Sequence, residues 1–395
     1  MSQQAAPASG RVEALLAARL AAGEAFFAAE AERLARICHQ MAERFARGGR
    51  LLALGLSPAA RSDARHVAVE FVHPVIVGKR ALPALALTAS AAEQVSLLAR
   101  AQDIVMGFGT GVCEGLAAAR ARGCLTLGFE PGCGAEHVLV APAADPFAAQ
   151  ELVETLYHVL WELVHVFFEH RGLLSGRTER RHHDAGSSAF LYPFLDERES
   201  ALEPVLADVR ASVLMKSAEV GELRAQTLGE GAGELASAAA ALRERLRRGG
   251  KLLALGNGGS ATDAQDLIAD LRTPPPGAGL TPRAAIDLAE DPAIITAVAN
   301  DIGVEAIFLR QVIAYGERDD VLVALSTSGN STNVIAALRE ARSRGLLTVA
   351  MVGYDGGRVA AERLADHVIV SRSQHIPRIQ EAQASAYHVL RELVG

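Results

Sequence analysis

Short apolar runs alternate with amphipathic helical stretches along most of the 395 residues. Residues 51–55 and 252–256 both read LLALG, and each run breaks into a turn that opens a helical pattern. Long Ala/Leu/Arg/Glu stretches with helical period precede these runs, over roughly 11–48 and 199–249. Apolar runs without polar alternation are typical of strands buried on both faces of a parallel sheet. The pattern therefore predicts an α/β protein with parallel strands and crossover helices.

The same order of elements occurs twice, at an offset of about 200 residues. The segment QELVETLYHVLWEL at 150–163 aligns with QEAQASAYHVLREL at 380–393, sharing Gln-Glu, Tyr-His-Val-Leu and Glu-Leu at one spacing. Such self-similarity indicates an internal duplication. We predict an N-terminal domain over 11–170, a linker over 171–198 and a C-terminal domain over 199–395.

Two hydroxyl-rich, glycine-rich turns lie in the second copy, LLALGNGGS at 252–260 and LSTSGNS at 325–331. Backbone N–H groups and hydroxyls in such turns can bind a phosphate, and the following helix adds the positive end of its dipole. The first copy reads GLSPAARS and GFGTGV at the matching places. The sequence therefore predicts phosphate binding in the second copy and its loss in the first.

Composition and charge limit the classes of partner that we expect for the chain. Half of the residues are apolar, and the formal net charge is −7 without a long Lys/Arg run. A mildly acidic chain of this kind has no electrostatic footprint for nucleic acid. No leader or membrane-spanning run is recognisable, so we expect a cytoplasmic protein. The four cysteines form no CxxC pair and predict buried free thiols.

Five motifs of the second copy occur in the order found in one known family: GNGGS, AVANDIG, STSGNS, GYDGG and RIQE. This half resembles the sugar isomerase (SIS) domain superfamily, and within it the phosphoheptose isomerases. The first half resembles the same domain weakly. The resemblance implies two tandem flavodoxin-like αβα sandwich domains, each preceded by a long helix. It also implies assembly as an oligomer, here a dimer of tandem chains that mimics a tetramer.

The family converts sedoheptulose 7-phosphate to a heptose 7-phosphate through an enediol. Carried over by position, the resemblance implies sugar contacts at Asn257, Asp301 and Gln380, and a proton-transfer role for His388. Gln380 and His388 stand at positions that can also bind a metal in the family. It implies no organic cofactor. The phosphate contacts carried over are Ser260, Ser326, Thr327, Ser328 and Ser331.

The acid/base helix of the second copy departs from the family. The family places His and Glu four residues apart, and this chain has Asp266 and Asp270 there. Asp270 would be the base, although its carboxylate is one methylene shorter than that of Glu. Asp263, Asp266 and Asp270 also form an acidic stripe of the kind that usually marks a solvated helix face, with a metal site as the alternative.

His and Glu instead occur in the first copy, at His66 and Glu70, with Gln150 and His158 at the final-helix positions. We predict that Glu70 supplies catalysis at a site shared by the two halves. Alternatively, His66, Glu70, Gln150 and His158 hold a metal within the first half, with zinc as the candidate ion. The spacing leaves both alternatives open, together with an inherited interhelical polar contact.

Two classes of function fit these residues. The first is a ketose/aldose isomerase acting on a sugar phosphate. The second is a non-catalytic sugar-phosphate sensor or assembly protein, which keeps the serine turns while the acid/base positions drift. Asp266 and Asp270 favour the second class, whereas Gln380 and His388 favour the first. A different isomerase or a phosphosugar aminotransferase-like activity is a third alternative.

Overall fold

The computed structural model describes residues 8–76, 79–169, 173–174 and 201–395. Contacts divide the described residues into two units. Unit 1 holds those in 1–21, 143–151 and 219–395, and unit 2 holds those in 22–142 and 152–218. The predicted domain limits stay a prediction, and most of the predicted linker at 171–198 lies outside the described residues.

The first copy contains five helices and five strands among the described residues. They follow one another as α1 Ala8–Ala46, β1 Leu51–Gly55, α2 Pro58–Val72, β2 Ala84–Leu87, α3 Ala91–Leu98, β3 Ile104–Phe108, α4 Cys113–Ala121, β4 Leu125–Gly128, β5 His137–Val138 and α5 Pro146–Glu169. All strand pairs are parallel, in the order β2-β1-β3-β4-β5. These strands form the sheet of unit 2.

The second copy repeats this plan with an insertion. Its elements are α6 Leu202–Glu230, α7 Ala232–Arg247, β6 Leu252–Leu255, α8 Gly259–Arg272, β7 Ala285–Asp287, α9 Pro292–Asp301, a 3₁₀ turn Val304–Ala306, α10 Leu309–Tyr315, β8 Val321–Ser326, α11 Thr332–Ser343, β9 Leu347–Gly353, α12 Gly357–Ala361, β10 His367–Ser371 and α13 Ile376–Val394. The parallel sheet has the order β10-β9-β8-β6-β7. Read from β7, this is the flavodoxin-like order of the first sheet.

The central strands of unit 1, β6, β8 and β9, are buried along their whole length, as their apolar runs predict. Leu252 and Ala254 join one core cluster, which includes residues of α13, and Leu253 and Leu255 join a second cluster on the opposite face. Side chains alternate between the faces of a strand, so a strand covered on both sides needs apolar residues at every position. The predicted α/β fold with two parallel sheets is confirmed.

Cys38, Cys124 and Cys133 are buried free thiols as predicted, whereas Cys113 is exposed. Within the part of the chain that the structure describes, none of the helices has the length and apolar character needed to cross a bilayer.

Candidate functional site

The two predicted phosphate turns lie side by side in unit 1. Strands β6 and β8 are parallel neighbours, with Leu255 opposite Ala324, so the turns that follow them leave the same edge of the sheet. The first turn leads into α8 at Gly259, and the second leads into α11 at Thr332. Both turns therefore present helix N-terminal N–H groups where an anion can bind.

Glycine is required at two points of this edge. A Cβ on Gly256 would lie 2.1 Å from the carbonyl oxygen of Ser260, and Gly329 has a φ of +61°. A Cβ on Gly329 would also lie 2.2 Å from the carbonyl oxygen of Gly356. The glycines of the motifs thus let the backbone pack too closely for any side chain.

Two serine side chains of the second turn accept hydrogen bonds from its backbone. Ser326 Oγ accepts a hydrogen bond from the Gly329 N–H at 3.2 Å, and Ser328 Oγ accepts one from the Asn330 N–H at 3.2 Å. Ser331 is the N-cap residue of α11 and does not use its side chain for the cap. Ser260 is buried in the first turn. The remaining predicted phosphate contact, Thr327, is half-buried between Ser326 and Ser328.

Asn257 connects the first turn with α11, the helix that follows the second turn. Its amide donates to Asn333 Oδ1 at 3.0 Å, and the Asn333 amide donates back to Asn257 Oδ1 at 2.8 Å. Asp301, predicted with Asn257 to hold sugar hydroxyls, is exposed at the end of α9 and accepts a hydrogen bond from Asn300 at 2.7 Å. The sugar contacts of both residues stay predictions.

An open cavity of about 550 Å³ adjoins the second turn. Ser328 connects the turn with this cavity, and Arg372 brings a cationic side chain to it. Sequence analysis did not identify Arg372, because it follows β10 and belongs to none of the five motifs. The other lining residues are Asn330, Tyr354, Asp355, Ser373 and Gln374.

The acidic stripe of α8 is buried, so its interpretation as a solvated face is wrong. The exposed fractions of Asp263, Asp266 and Asp270 are 1%, 5% and 1%. Helix α13 packs against α8. It carries the buried side chains of Gln380, which hydrogen-bonds Asp263, and of His388.

His388 lies among three carboxylates in unit 1. Its Nε2 is 3.2 Å from Asp266 Oδ2 and 3.1 Å from Asp270 Oδ2. Its Nδ1 is 3.0 Å from Glu151 Oε1. Two predicted catalytic residues, Asp270 and His388, are therefore in contact.

Residues from the first copy also contribute to this cluster. Unit 1 includes the described part of 1–21 and residues 143–151. Arg19 forms an ion pair with Glu151 at 2.9 Å, and the Phe147 ring stacks on His388 with centroids 4.9 Å apart. Gln150, a predicted metal ligand, instead donates its amide hydrogen to Asp266. No motif marks Arg19 or Glu151 as a site residue, although Glu151 belongs to the Gln-Glu pair repeated at 380–381.

Opposite charges and burial set the protonation of the cluster. Burial lowers the pKa of His388, but the carboxylates of Asp266, Asp270 and Glu151 beside the ring raise it more, and the pKa lies well above its ordinary value. Burial and Asp266 raise the pKa of Asp270 to about 7, against the opposing effect of His388. Burial also raises the pKa of Glu151, yet Arg19 and His388 lower it to about 2.

The cluster therefore holds a protonated imidazole beside a carboxylate that titrates near neutral pH. Such a pair can accept and return a proton at working pH. Asp266, Asp270 and His388 also place one ligand atom each within 4.8 Å of the others, and a metal ion bound there would displace the imidazole proton.

A second buried cluster lies within unit 2. His66 Nε2 and His158 Nε2 are 3.3 Å apart, and Glu70 Oε1 is 3.9 Å from His66 Nε2. Glu154, one turn before His158 on α5, places a carboxylate oxygen within 4.8 Å of both imidazoles. Glu154 was not predicted; its spacing of four from His158 was the available signal. The predicted role of Glu70 in a shared catalytic site stays a prediction.

Comparison with known proteins gives relatives for the second copy. A model of the SIS domain matches residues 217–353. The chain is 44% identical over 162 residues to a phosphoheptose isomerase from Pelobacter propionicus. The aligned region covers 40% of this chain and 83% of that protein. It is 40% identical over 198 residues to a phosphoheptose isomerase from Geobacter sp. strain M21. This aligned region covers 49% of the chain and 95% of that protein.

A structural likeness extends over both copies. The C-terminal domain of glucosamine-fructose-6-phosphate aminotransferase from Francisella tularensis matches with a TM-score of 0.60 and 10% identity, covering 97% of this chain and 94% of that one. At this identity the match bears on the fold alone.

Proposed function

Because the chain belongs to the phosphoheptose isomerase family of the SIS domain superfamily, we propose that it is a sugar-phosphate isomerase whose reaction takes place in unit 1. The substrate proposed is sedoheptulose 7-phosphate, and the product is the corresponding aldose phosphate. The observation that carries the proposal is the buried contact of 3.1 Å between Asp270 Oδ2 and His388 Nε2.

The serine turns supply the phosphate-binding part of this function. The N–H groups that begin α8 and α11, and the hydroxyls of Ser260, Ser326, Thr327, Ser328 and Ser331, bind the dianion without a lysine. Asn257, Asp301 and Gln380 bind the sugar hydroxyls in this proposal. A fixed phosphate limits the positions that the carbonyl end of the open-chain sugar can reach.

The acid/base step uses the cluster around His388. The carboxylate of Asp270 removes a proton from C1, and the C1–H electron pair forms the C1–C2 double bond while the carbonyl oxygen at C2 gains a proton from His388. The resulting enediol then loses the proton of its C1 hydroxyl and gains one at C2, which leaves an aldehyde at C1. In this second step the neutral His388 takes the C1 hydroxyl proton and the protonated Asp270 gives its proton to C2, so both groups return to their starting states.

The test is incubation with sedoheptulose 7-phosphate in solvent deuterium, with and without added zinc. We expect deuterium at the carbon next to the carbonyl and conversion to the aldose. Absence of both exchange and conversion in the folded protein would overturn the isomerase proposal.

A non-catalytic sugar-phosphate sensor is the second candidate. The observation that favours it is the position of His388, which is fully buried and has carboxylates at both ring nitrogens. Binding of the sugar phosphate without deuterium exchange would favour the sensor.

We also propose zinc as an ion for unit 2. Zn–N bonds of about 2.0–2.1 Å in a tetrahedral site place two nitrogens about 3.3–3.4 Å apart. The separation of 3.3 Å between the Nε2 atoms of His66 and His158 fits that edge. Glu154 and Glu70 offer carboxylate ligands nearby. An ion bound by His66 of α2 and His158 of α5 would link these two helices.

Cytoplasmic location and assembly of the chain as a homodimer of tandem copies stay predictions. Light scattering after gel filtration tests the second, with a mass of twice the 41.5 kDa chain expected.

A further inference from the structure

We propose that Glu151 is a positioning residue for the isomerase reaction, holding the His388 ring so that Nε2 faces Asp266 and Asp270. This inference rests on the proposed function. It assigns a role in the site of the second copy to a residue that the sequence places in the first copy.

The contacts of His388 give the ring one orientation. Glu151 Oε1 accepts the hydrogen of Nδ1 at 3.0 Å, while Nε2 lies 3.1 Å and 3.2 Å from the two aspartates of α8. A ring rotated by 180° would place carbon atoms against these carboxylates. The carboxylate at Nδ1 therefore selects which nitrogen is presented to the reacting groups.

Glu151 is itself held from several sides. Arg19 Nε donates to both carboxylate oxygens, at 2.9 Å and 3.1 Å, and the Ser385 hydroxyl donates to Oε2. Arg19 also donates to Glu392 Oε1 at 2.9 Å. Glu151, Arg19 and Ser385 are all buried, so water does not compete for these hydrogen bonds. The carboxylate consequently has little freedom to leave Nδ1.

A purely structural role would need only the ion pair. Arg19 Nε reaches both oxygens of Glu151 and Ser385 adds a second donor to Oε2, so the carboxylate is stabilised without His388. The additional contact with His388, together with Phe147 stacked on the imidazole, adds nothing that the ion pair requires. These two contacts instead restrict the ring that carries the proton.

The test compares Glu151→Gln with the matched control Glu392→Gln. Both substitutions remove one carboxylate from Arg19, but only Glu151 contacts His388. For Glu151→Gln we expect kcat to fall at least about tenfold with KM within about threefold, as is typical for partners that orient a functional imidazole. The control should keep both constants within about threefold. Equal losses in both variants would overturn the proposal.

A measurement on the unaltered protein keeps the test independent of folding and of turnover. Long-range ¹H–¹⁵N spectra should show His388 Nδ1 protonated and its hydrogen protected from solvent exchange, with the signal assigned by its loss in His388→Gln. In Glu151→Gln this protection should fall, and in Glu392→Gln it should persist. An unprotonated or rapidly exchanging Nδ1 in the unaltered protein would overturn the proposal.

The two failures are distinguishable. If the chain produces no deuterium exchange in sedoheptulose 7-phosphate, the proposed function fails, whatever the spectra show. If exchange occurs but Glu151→Gln keeps its kcat, the isomerase stands and the role of Glu151 fails.

Discussion

The two copies carry different chemistry at corresponding positions of the same scaffold. In unit 2, α2 and α5 bring together His66 and His158 with glutamates nearby. In unit 1, α8 offers two aspartates to His388 of α13. Two imidazoles in contact suit a metal ion, whereas one imidazole between carboxylates becomes protonated and suits proton transfer. Between the copies, His66, Glu70 and Glu154 correspond to Asp266, Asp270 and Ala384, and these exchanges accompany the change from two imidazoles to one imidazole among carboxylates.

The largest expected effect comes from Asp270→Asn in unit 1. The substitution removes the proposed base while keeping its size, so we expect kcat to fall by about 10²–10⁴. Deuterium exchange into sedoheptulose 7-phosphate measures it. Asp320→Asn is the control, because Asp320 is a buried carboxylate of the same unit that pairs with Lys251 at 2.6 Å.

The same assay on Glu70→Gln tests whether catalysis belongs to unit 1 alone. If catalysis belongs to unit 1, turnover stays within about threefold of the unaltered protein. A full loss with Glu70→Gln, combined with normal turnover of Asp270→Asn, would move the base to unit 2 and support the predicted shared site.

Zinc affinity is the next largest effect. With His158→Gln we expect zinc to bind more than about a hundredfold more weakly, because losing a ligand costs more than losing a group that orients one. Elemental analysis after dialysis and the zinc-dependent rise in Tm both measure it. His137→Gln, in unit 2 but hydrogen-bonded to Gln40, is the control. Zinc affinity unchanged in His158→Gln would contradict the site.

Much of the difference between the two copies could be predicted from sequence, because it depends on residues close together in the chain. LLALG runs, glycine turns and the His66/Glu70 spacing are read within one helix or strand, and the structure places them as expected. The contact of Glu151 with His388 joins residues 237 positions apart, which spacing within an element does not reveal. The burial of Asp263, Asp266 and Asp270 is hidden from the sequence for the same reason, because their period defines a helix face but not the helix that covers it.

A smaller effect is expected at the phosphate turn. Ser328→Ala removes a hydroxyl from the turn, and a hydrogen bond to a charged group contributes about 1.5–3 kcal/mol. We therefore expect KM for the sugar phosphate to rise about tenfold or more with kcat little changed. Ser343→Ala on the exposed end of α11 is the control. An unchanged KM would place the phosphate elsewhere.

The pH profile should show the smallest change. Because the pKa of Asp270 is raised to about 7, its carboxylate forms as the pH rises through that value. The rate should therefore increase from pH 6 to pH 8 by about tenfold at most, in proportion to the ionised fraction. A rate already constant above pH 5 would indicate a base with an ordinary carboxylate pKa.

The membership of Arg19, Gln150 and Glu151 in unit 1 bears on how this gene can be divided. A fragment beginning at residue 199 would retain every SIS motif and still lack Glu151, which contacts His388 Nδ1, and Gln150, which donates to Asp266. If the site in unit 1 is functional, we expect these two short stretches of the first copy to vary less among relatives than the turns at 56–61 and 107–112.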